Sequence, residues 1–218
     1  MDGVLVDTSQ CHDFAYQALM NRLGLPIVDY GELAGRSTKS VVNEYLGHLS
    51  VEEQNECIAF KQQQALLLLK TADIVFSDTV QTIKTLHHQG FRLGLGTSAS
   101  KNSVSLILDR LAVHHLFDVV VTADDVNNGK PSPEIFNKAI EGLMFCSNQV
   151  LIVEDSLAGL QAGLQSGAYV ANVRCEIAKD RFGLPDRGYC GYYPDLASLV
   201  NELNRHMTQR SNSKEQGL

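Results

Sequence analysis

Apolar positions along the chain follow two different rhythms. Between residues 9 and 72 they recur at helical spacing, and no convincing strand intervenes. Phe14, Ala15, Ala18 and Leu19 share one face of a segment Ser9–Leu23, and Gly24 stands where a helix C-cap belongs. Further helices are predicted over 37–46 and Val51–Leu69. Ser50 with Glu53 three residues on has the capping-box pattern, in which each residue satisfies a free N–H of the other's backbone. After residue 73 short apolar or β-branched runs appear at 92–97, 118–122, 149–153 and 169–173. Helical segments fall between them, at 77–89, 101–111, 132–143 and 156–166.

Strands that alternate with helices imply a parallel sheet with right-handed crossovers and helices on both faces. The predicted fold is therefore α/β, a doubly wound parallel sheet over 73–206 after a small helical module over 9–72. The polar end 207–218 reads as a flexible, frayed tail.

Composition narrows the class. With 218 residues, 44% hydrophobic and 20% charged, the chain can bury a real core. A net charge of −7 argues against a nucleic-acid partner, whose phosphates reward basic surfaces. Cys11, Cys57, Cys146, Cys175 and Cys190 are odd in number and scattered, which suggests reduced thiols and the cytoplasm. The longest apolar run, 65–69, is too short to span a bilayer, so no membrane role is expected.

Ligands of open parallel sheets sit beyond the C-terminal strand ends, so the chemistry should lie there. The strand at 92–97 runs into Thr97-Ser98-Ala99-Ser100-Lys101-Asn102, whose hydroxyls and free N–H groups suit a phosphate, or simply cap a helix. Further on, Lys130 is held between Gly129 and Pro131, ready to neutralise an anion or else solvated on a loop. Glu154 and Asp155 follow the strand at 149–153; adjacent carboxylates at a buried strand mouth invite Mg²⁺, unless Asp155 merely caps a helix and Glu154 faces solvent. With Asp2 and Asp7 added, the set suits phosphoryl transfer, which needs charge and donors around phosphate oxygens and an acid for the leaving group.

These segments, MDGVLVDT, GTSASKN, GKPSPEIF and VEDSLAGLQAGLQSGA, resemble the haloacid dehalogenase superfamily, in the β-phosphoglucomutase-like branch with a helical cap. The resemblance implies that residues 9–72 are an inserted α-helical cap and that residues 1–8 and 73–206 form one α/β core. The resemblance implies a Mg²⁺-dependent phosphatase of a small phosphorylated metabolite, a sugar phosphate, acting through a phosphoaspartate, and a monomer. A phosphosugar mutase is the nearest alternative, and a non-catalytic phospho-ligand-binding protein the alternative of another class. It implies Asp2 as general acid/base and, through its carbonyl, a metal ligand. Ser98 and the Ala99 amide would hold phosphate, Lys130 would brace it, and Glu154 and Asp155 would bind metal. Asp2, among other carboxylates, is expected to have a raised pKa.

The resemblance also implies substrate roles for His12 at the cap hinge and for Ser100, Lys101 and Asn102 at a far phosphate, although His12 and Lys101 also suit ordinary helix-face positions. In the cap loop Thr38 stands where mutases carry an arginine; Arg36 or Lys39 could substitute, and the departure favours a phosphatase. The family's nucleophilic Asp belongs two residues before Asp2, a place this sequence does not contain. The expectation is an in-frame apolar stretch ending in Asp upstream of Met1, and binding without hydrolysis by residues 1–218 alone.

Overall fold

The computed structural model describes residues 1–178 and 180–215. Four helices, α1 (Ser9–Leu23), α2 (Tyr30–Leu33), α3 (Thr38–Tyr45) and α4 (Val51–Leu69), form the cap. They pack around their own small clusters, one of Leu19, Val42, Leu46 and Cys57, another of Tyr16, Leu33 and Val41. Gly24 ends α1 in the left-handed conformation, and Ser50 and Glu53 close a reciprocal capping box on α4. Two linkers join the cap to the core. They lie side by side, with Val6 bridged to Val75 and the Asp7 N–H donating to the Ile74 carbonyl at 2.7 Å.

In the core, α5 (Thr79–His88) leads to β1 (Gly94–Gly96), α6 (Lys101–Leu111), β2 (Val119–Val121), α7 (Glu134–Leu143), β3 (Leu151–Glu154), α8 (Leu157–Gln165), β4 (Tyr169–Val173), β5 (Tyr189–Tyr193) and α9 (Leu196–Glu215). Every strand pairing is parallel: β1 with β2, and β3 with β4 with β5. Helices cover both faces. Ile107, Leu108 and Leu111 of α6 join Val6 and Leu69 in one cluster, while Ile135 of α7, Leu160 of α8 and Val170 form another. Each such fully buried aliphatic side chain contributes roughly 1.5–3 kcal/mol.

The sheet is split. β1 and β3 each pair on one side, and their other edges face a cavity of about 410 Å³ lined by Leu95, Ile152, Phe136, Leu5 and Met1. Two departures from the sequence reading stand out. β5 carries Gly191 at φ +116 and a register shift, so its run YCGYY lacks the alternation that marks a strand. Residues 207–215 continue α9 instead of fraying, because no glycine or proline interrupts 195–215 and His206 lies one turn beyond Glu202, 3.8 Å away. Residues 216–218 of the expected tail lie outside the described residues.

Candidate active site

The C-terminal ends of β1 and β3 open onto a cavity of about 60 Å³ that the cap closes from above. Core and cap residues share its wall. Asp2, Ser98, Ala99, Ser100, Lys130, Glu154 and Asp155 come from the core, and His12, Tyr16, Tyr30, Arg36 and Lys61 from the cap. Lys101 and Asn102 do not line it. Ser100 caps α6 and is buried with Ser103, which places the two residues between them on the outer face, exposed; the Lys101 N–H donates to Asp124.

Asp2 sits in a tight turn at the start of the chain. The Gly3 N–H donates to the Val6 carbonyl at 2.7 Å, and Leu5 N–H to the Met1 carbonyl at 2.8 Å. Gly3 has φ +66, and a Cβ there would fall 1.7 Å from Asp155 Oδ2. Only glycine lets the turn lie against that carboxylate. Thr8 leaves the N-cap of α1 without a side-chain bond and donates its hydroxyl to Asp2 Oδ1 at 2.6 Å.

His12, on the first turns of α1, brings Nε2 to 3.6 Å from Asp2 Oδ1. Its Nδ1 lies 3.0 Å from Lys61 Nζ on α4. An ammonium donating to Nδ1 leaves the ring proton on Nε2, facing Asp2. Burial, and then the Lys61 charge, lower the His12 pKa, so the ring is neutral at pH 7. Burial alone would raise the Asp2 pKa, but His12, the N-terminal ammonium of Met1 and the Thr8 hydroxyl together outweigh it and hold this carboxyl well below the usual range. That reverses the expectation for Asp2. Neighbouring acids alone do not decide its state, because its own oxygens face a hydroxyl donor and an imidazole N–H.

Lys130 and Glu154 form a buried ion pair, 5% and 3% exposed, with Lys130 Nζ also 4.7 Å above the Phe136 ring. Ser156 donates to the other Glu154 oxygen at 3.2 Å and caps α8. Asp155 is left without hydrogen bond or ion pair among the described residues, and burial followed by the Glu154 charge pushes its pKa far above the carboxylate range. No three His, Cys, Asp or Glu side chains among the described residues form a ready metal cluster. The donor set is short in number for a metal cage, yet Asp155 is a hard oxygen donor with no hydrogen bond or ion pair of its own among the described residues.

Ser98 donates to the Gly35 carbonyl of the cap loop at 2.8 Å, and the Ala99 N–H donates to Thr97 Oγ1 at 3.2 Å. Gly35 has φ +78, and a Cβ there would meet Ser156 Oγ at 2.3 Å, so the cap loop lies directly on the strand ends. Arg36 also lines the cavity but pairs with Glu44 on α3. The sequence reading had not singled out Lys61, 3% exposed. A signal was present: Cys57, Lys61, Ala65 and Leu69 recur every four residues, and the lysine stands within that buried row of α4.

The fold has close relatives among solved structures. A β-phosphoglucomutase from Clostridium difficile superposes with a TM-score of 0.78, covering 95% of this chain and 96% of that one at 21% identity. In sequence, the validoxylamine A 7′-phosphate phosphatase of Streptomyces hygroscopicus subsp. limoneus is 27% identical, across 78% of this chain and 80% of its own. A phosphorylated carbohydrates phosphatase of Thermotoga maritima is also 27% identical, across 77% and 79%. The model of the haloacid dehalogenase-like hydrolases matches residues 1–173, which include the Asp2 turn, the whole cap and the strand ends that carry Ser98, Lys130, Glu154 and Asp155, and the chain belongs to that family.

Proposed function

We propose that this chain serves a Mg²⁺-dependent phosphatase reaction on a small phosphomonoester, a sugar phosphate, through a phosphoaspartate. The observation that carries the reading is the meeting of Asp2, Ser98, Lys130, Glu154 and Asp155 at one cavity beyond parallel strand ends, under a closed cap. The phosphatases of phosphorylated carbohydrates and of validoxylamine A 7′-phosphate to which it is similar support the substrate class.

In this reading the reaction needs an attacking carboxylate beside Asp2. Its oxygen bonds to phosphorus as the bond from phosphorus to the substrate oxygen breaks, and Asp2 gives its proton to that oxygen. Water then attacks phosphorus, Asp2 takes the water's proton, and orthophosphate leaves with the carboxylate restored. The ionised Asp2 suits the second half; a phosphate dianion close by favours the protonated form needed for the first.

Ser98, released from Gly35, and the Ala99 N–H would hold phosphate oxygens, with Lys130 supplying positive charge. Asp155 would hold Mg²⁺, together with Glu154 and the Asp2 carbonyl; two carboxylates completed by phosphate and water are a usual set for this ion. When bound, the ion offsets phosphate charge. A cavity of about 60 Å³ has room for a few waters and not for a sugar phosphate, so entry requires the cap to swing on its paired linkers.

Lys101 and Asn102, outside the cavity wall, favour a phosphatase over a mutase that must hold a far phosphate. The test is phosphate release from sugar phosphates with Mg²⁺, against isomer formation with a sugar bisphosphate added. It is run on residues 1–218 and on the protein as its gene encodes it. Phosphate release by the latter is expected. Isomer formation would replace the reading with a mutase, and binding without turnover in both versions with a phospho-ligand-binding protein.

A further inference from the structure

Both cations of the cap wall that faces the acids are already engaged by cap side chains. Arg36 is tied to Glu44 and lies 3.4 Å from the Ser40 hydroxyl. Lys61 is held against His12 Nδ1 and lies 4.2 Å from the centroid of the Tyr16 ring. Tyr16 itself is engaged with Thr38. Two polar cap side chains on the cavity wall have no such engagement: no hydrogen bond joins the Tyr30 hydroxyl or the Gln62 amide to any described residue. Tyr30 is half-buried at the start of α2. Burial first, then the nearby charge of Asp2, with Tyr16, Asp155 and Asp13 adding, keeps its phenol protonated, a donor and an acceptor.

We infer that Tyr30 and Gln62 are specificity-determining residues that read hydroxyl groups on the leaving portion of a substrate that carries a single phosphate. The inference rests on the phosphomonoester reading above and adds the chemistry of the other half of the substrate. A second phosphate or carboxylate would face Asp2, Asp13 and Asp155 with no free cation on the cap wall to offset it. An apolar leaving group would strip water from the Tyr30 hydroxyl and the Gln62 amide and return no hydrogen bond. A neutral, hydroxyl-rich group satisfies both. Phenol and amide can each donate and accept, so they match hydroxyls without fixing a charge.

The test is isothermal titration of the full 218-residue protein in excess MgCl₂ with four probes. These are glucose 6-phosphate, glucose 1,6-bisphosphate, phenyl phosphate and inorganic phosphate. Glucose 6-phosphate should bind at least fivefold more tightly than either phenyl phosphate or the bisphosphate. Tyr30→Phe and Gln62→Leu should each weaken glucose 6-phosphate about five- to tenfold and shift inorganic phosphate by less than twofold. Thermal melts matching wild type show that the variants fold. Equal losses on all probes, no loss on glucose 6-phosphate, or preference for the bisphosphate overturns the assignment while leaving a phosphate site in place. Failure of every probe, inorganic phosphate included, to bind in Mg²⁺ overturns the phosphomonoester reading itself and this assignment with it.

Discussion

Lys61 Nζ lies 3.0 Å from His12 Nδ1, a contact between two cap helices, and the other ring nitrogen of His12 reaches Asp2 at the acid end of the core. Through it a lysine on α4 sets which His12 nitrogen carries the proton, and the other nitrogen faces Asp2. The His12–Asp2 contact exists only while the cap is closed, because His12 belongs to a cap helix and Asp2 to the core turn. Cap closure and the protonation state of Asp2 are therefore physically linked.

A first prediction concerns pH and Lys61. Burial pulls its pKa down to about 7, with Asp2 offsetting part of the effect. In the unfolded chain the value is about 10.4. Between those values the unfolded state binds more protons, so this group's contribution to stability rises as pH rises from 7 to 10 and is lost as pH falls through 7. Urea unfolding of wild type and Lys61→Met across pH 6–10 should show the difference shifting in favour of wild type by roughly 2–4 kcal/mol. Parallel curves for the two proteins would refute it.

A second prediction concerns Asp155. A buried carboxylate without a partner costs stability, and a divalent cation removes that cost. Metal-free Asp155→Asn should therefore be at least as stable as wild type at pH 8. In MgCl₂ at about a hundred times its dissociation constant, wild type should gain roughly 2.7 kcal/mol and the variant far less. Thermal melts with and without MgCl₂ measure both; equal gains by the two proteins would place the ion elsewhere.

Gly3→Ala tests the close approach of the N-terminal turn to Asp155. The new Cβ would sit 1.7 Å from a carboxylate oxygen, at a φ of +66. The left-handed backbone alone costs about 1–2 kcal/mol, and the displaced carboxylate adds to it. Chemical denaturation should show a loss of at least about 2 kcal/mol, with Mg²⁺ binding weakened in the same variant. A loss under about 0.5 kcal/mol, the usual scatter of surface substitutions, would show that the turn relaxes freely.

Residues that follow strands were legible in the sequence because the fold aligns strand ends, which brings Ser98, Lys130, Glu154 and Asp155 to one cavity. Strand periodicity failed only at β5, where Gly191 breaks the alternation. Lys61 was hidden for a different reason. Its role depends on which face of α4 meets α1, a packing choice made between elements 49 residues apart. Lys101 and Asn102 lie off the cavity wall by helical phase: the same first turn that buries Ser100 and Ser103 leaves them exposed. The state of Asp2 followed from Thr8 and His12, six and ten residues on, which converge with it only in three dimensions.

The turn that carries Asp2 is also held from behind, by Arg174. This residue adopts φ +66, donates from Nε to the Val4 carbonyl at 3.1 Å and pairs with Asp78 at 2.6 Å, its guanidinium 3.7 Å from the centroid of the Phe76 ring. Asp78 in turn accepts from the Leu196 and Ala197 N–H groups at the start of α9. One ion pair thus ties the Asp2 turn, the return linker from the cap and the last helix. Both side chains are largely buried, 15% and 17% exposed, so the pair should couple more strongly than a surface salt bridge. Arg174→Met removes the cation and leaves the Val4 carbonyl without its donor, whereas Asp78→Asn keeps an acceptor for α9. A double-mutant cycle in urea should give a coupling of about 1–3 kcal/mol, and Arg174→Lys should recover the charge without the two-pronged geometry, hence less than half of it. A coupling below about 0.5 kcal/mol would show that α9 and the Asp2 turn are held independently.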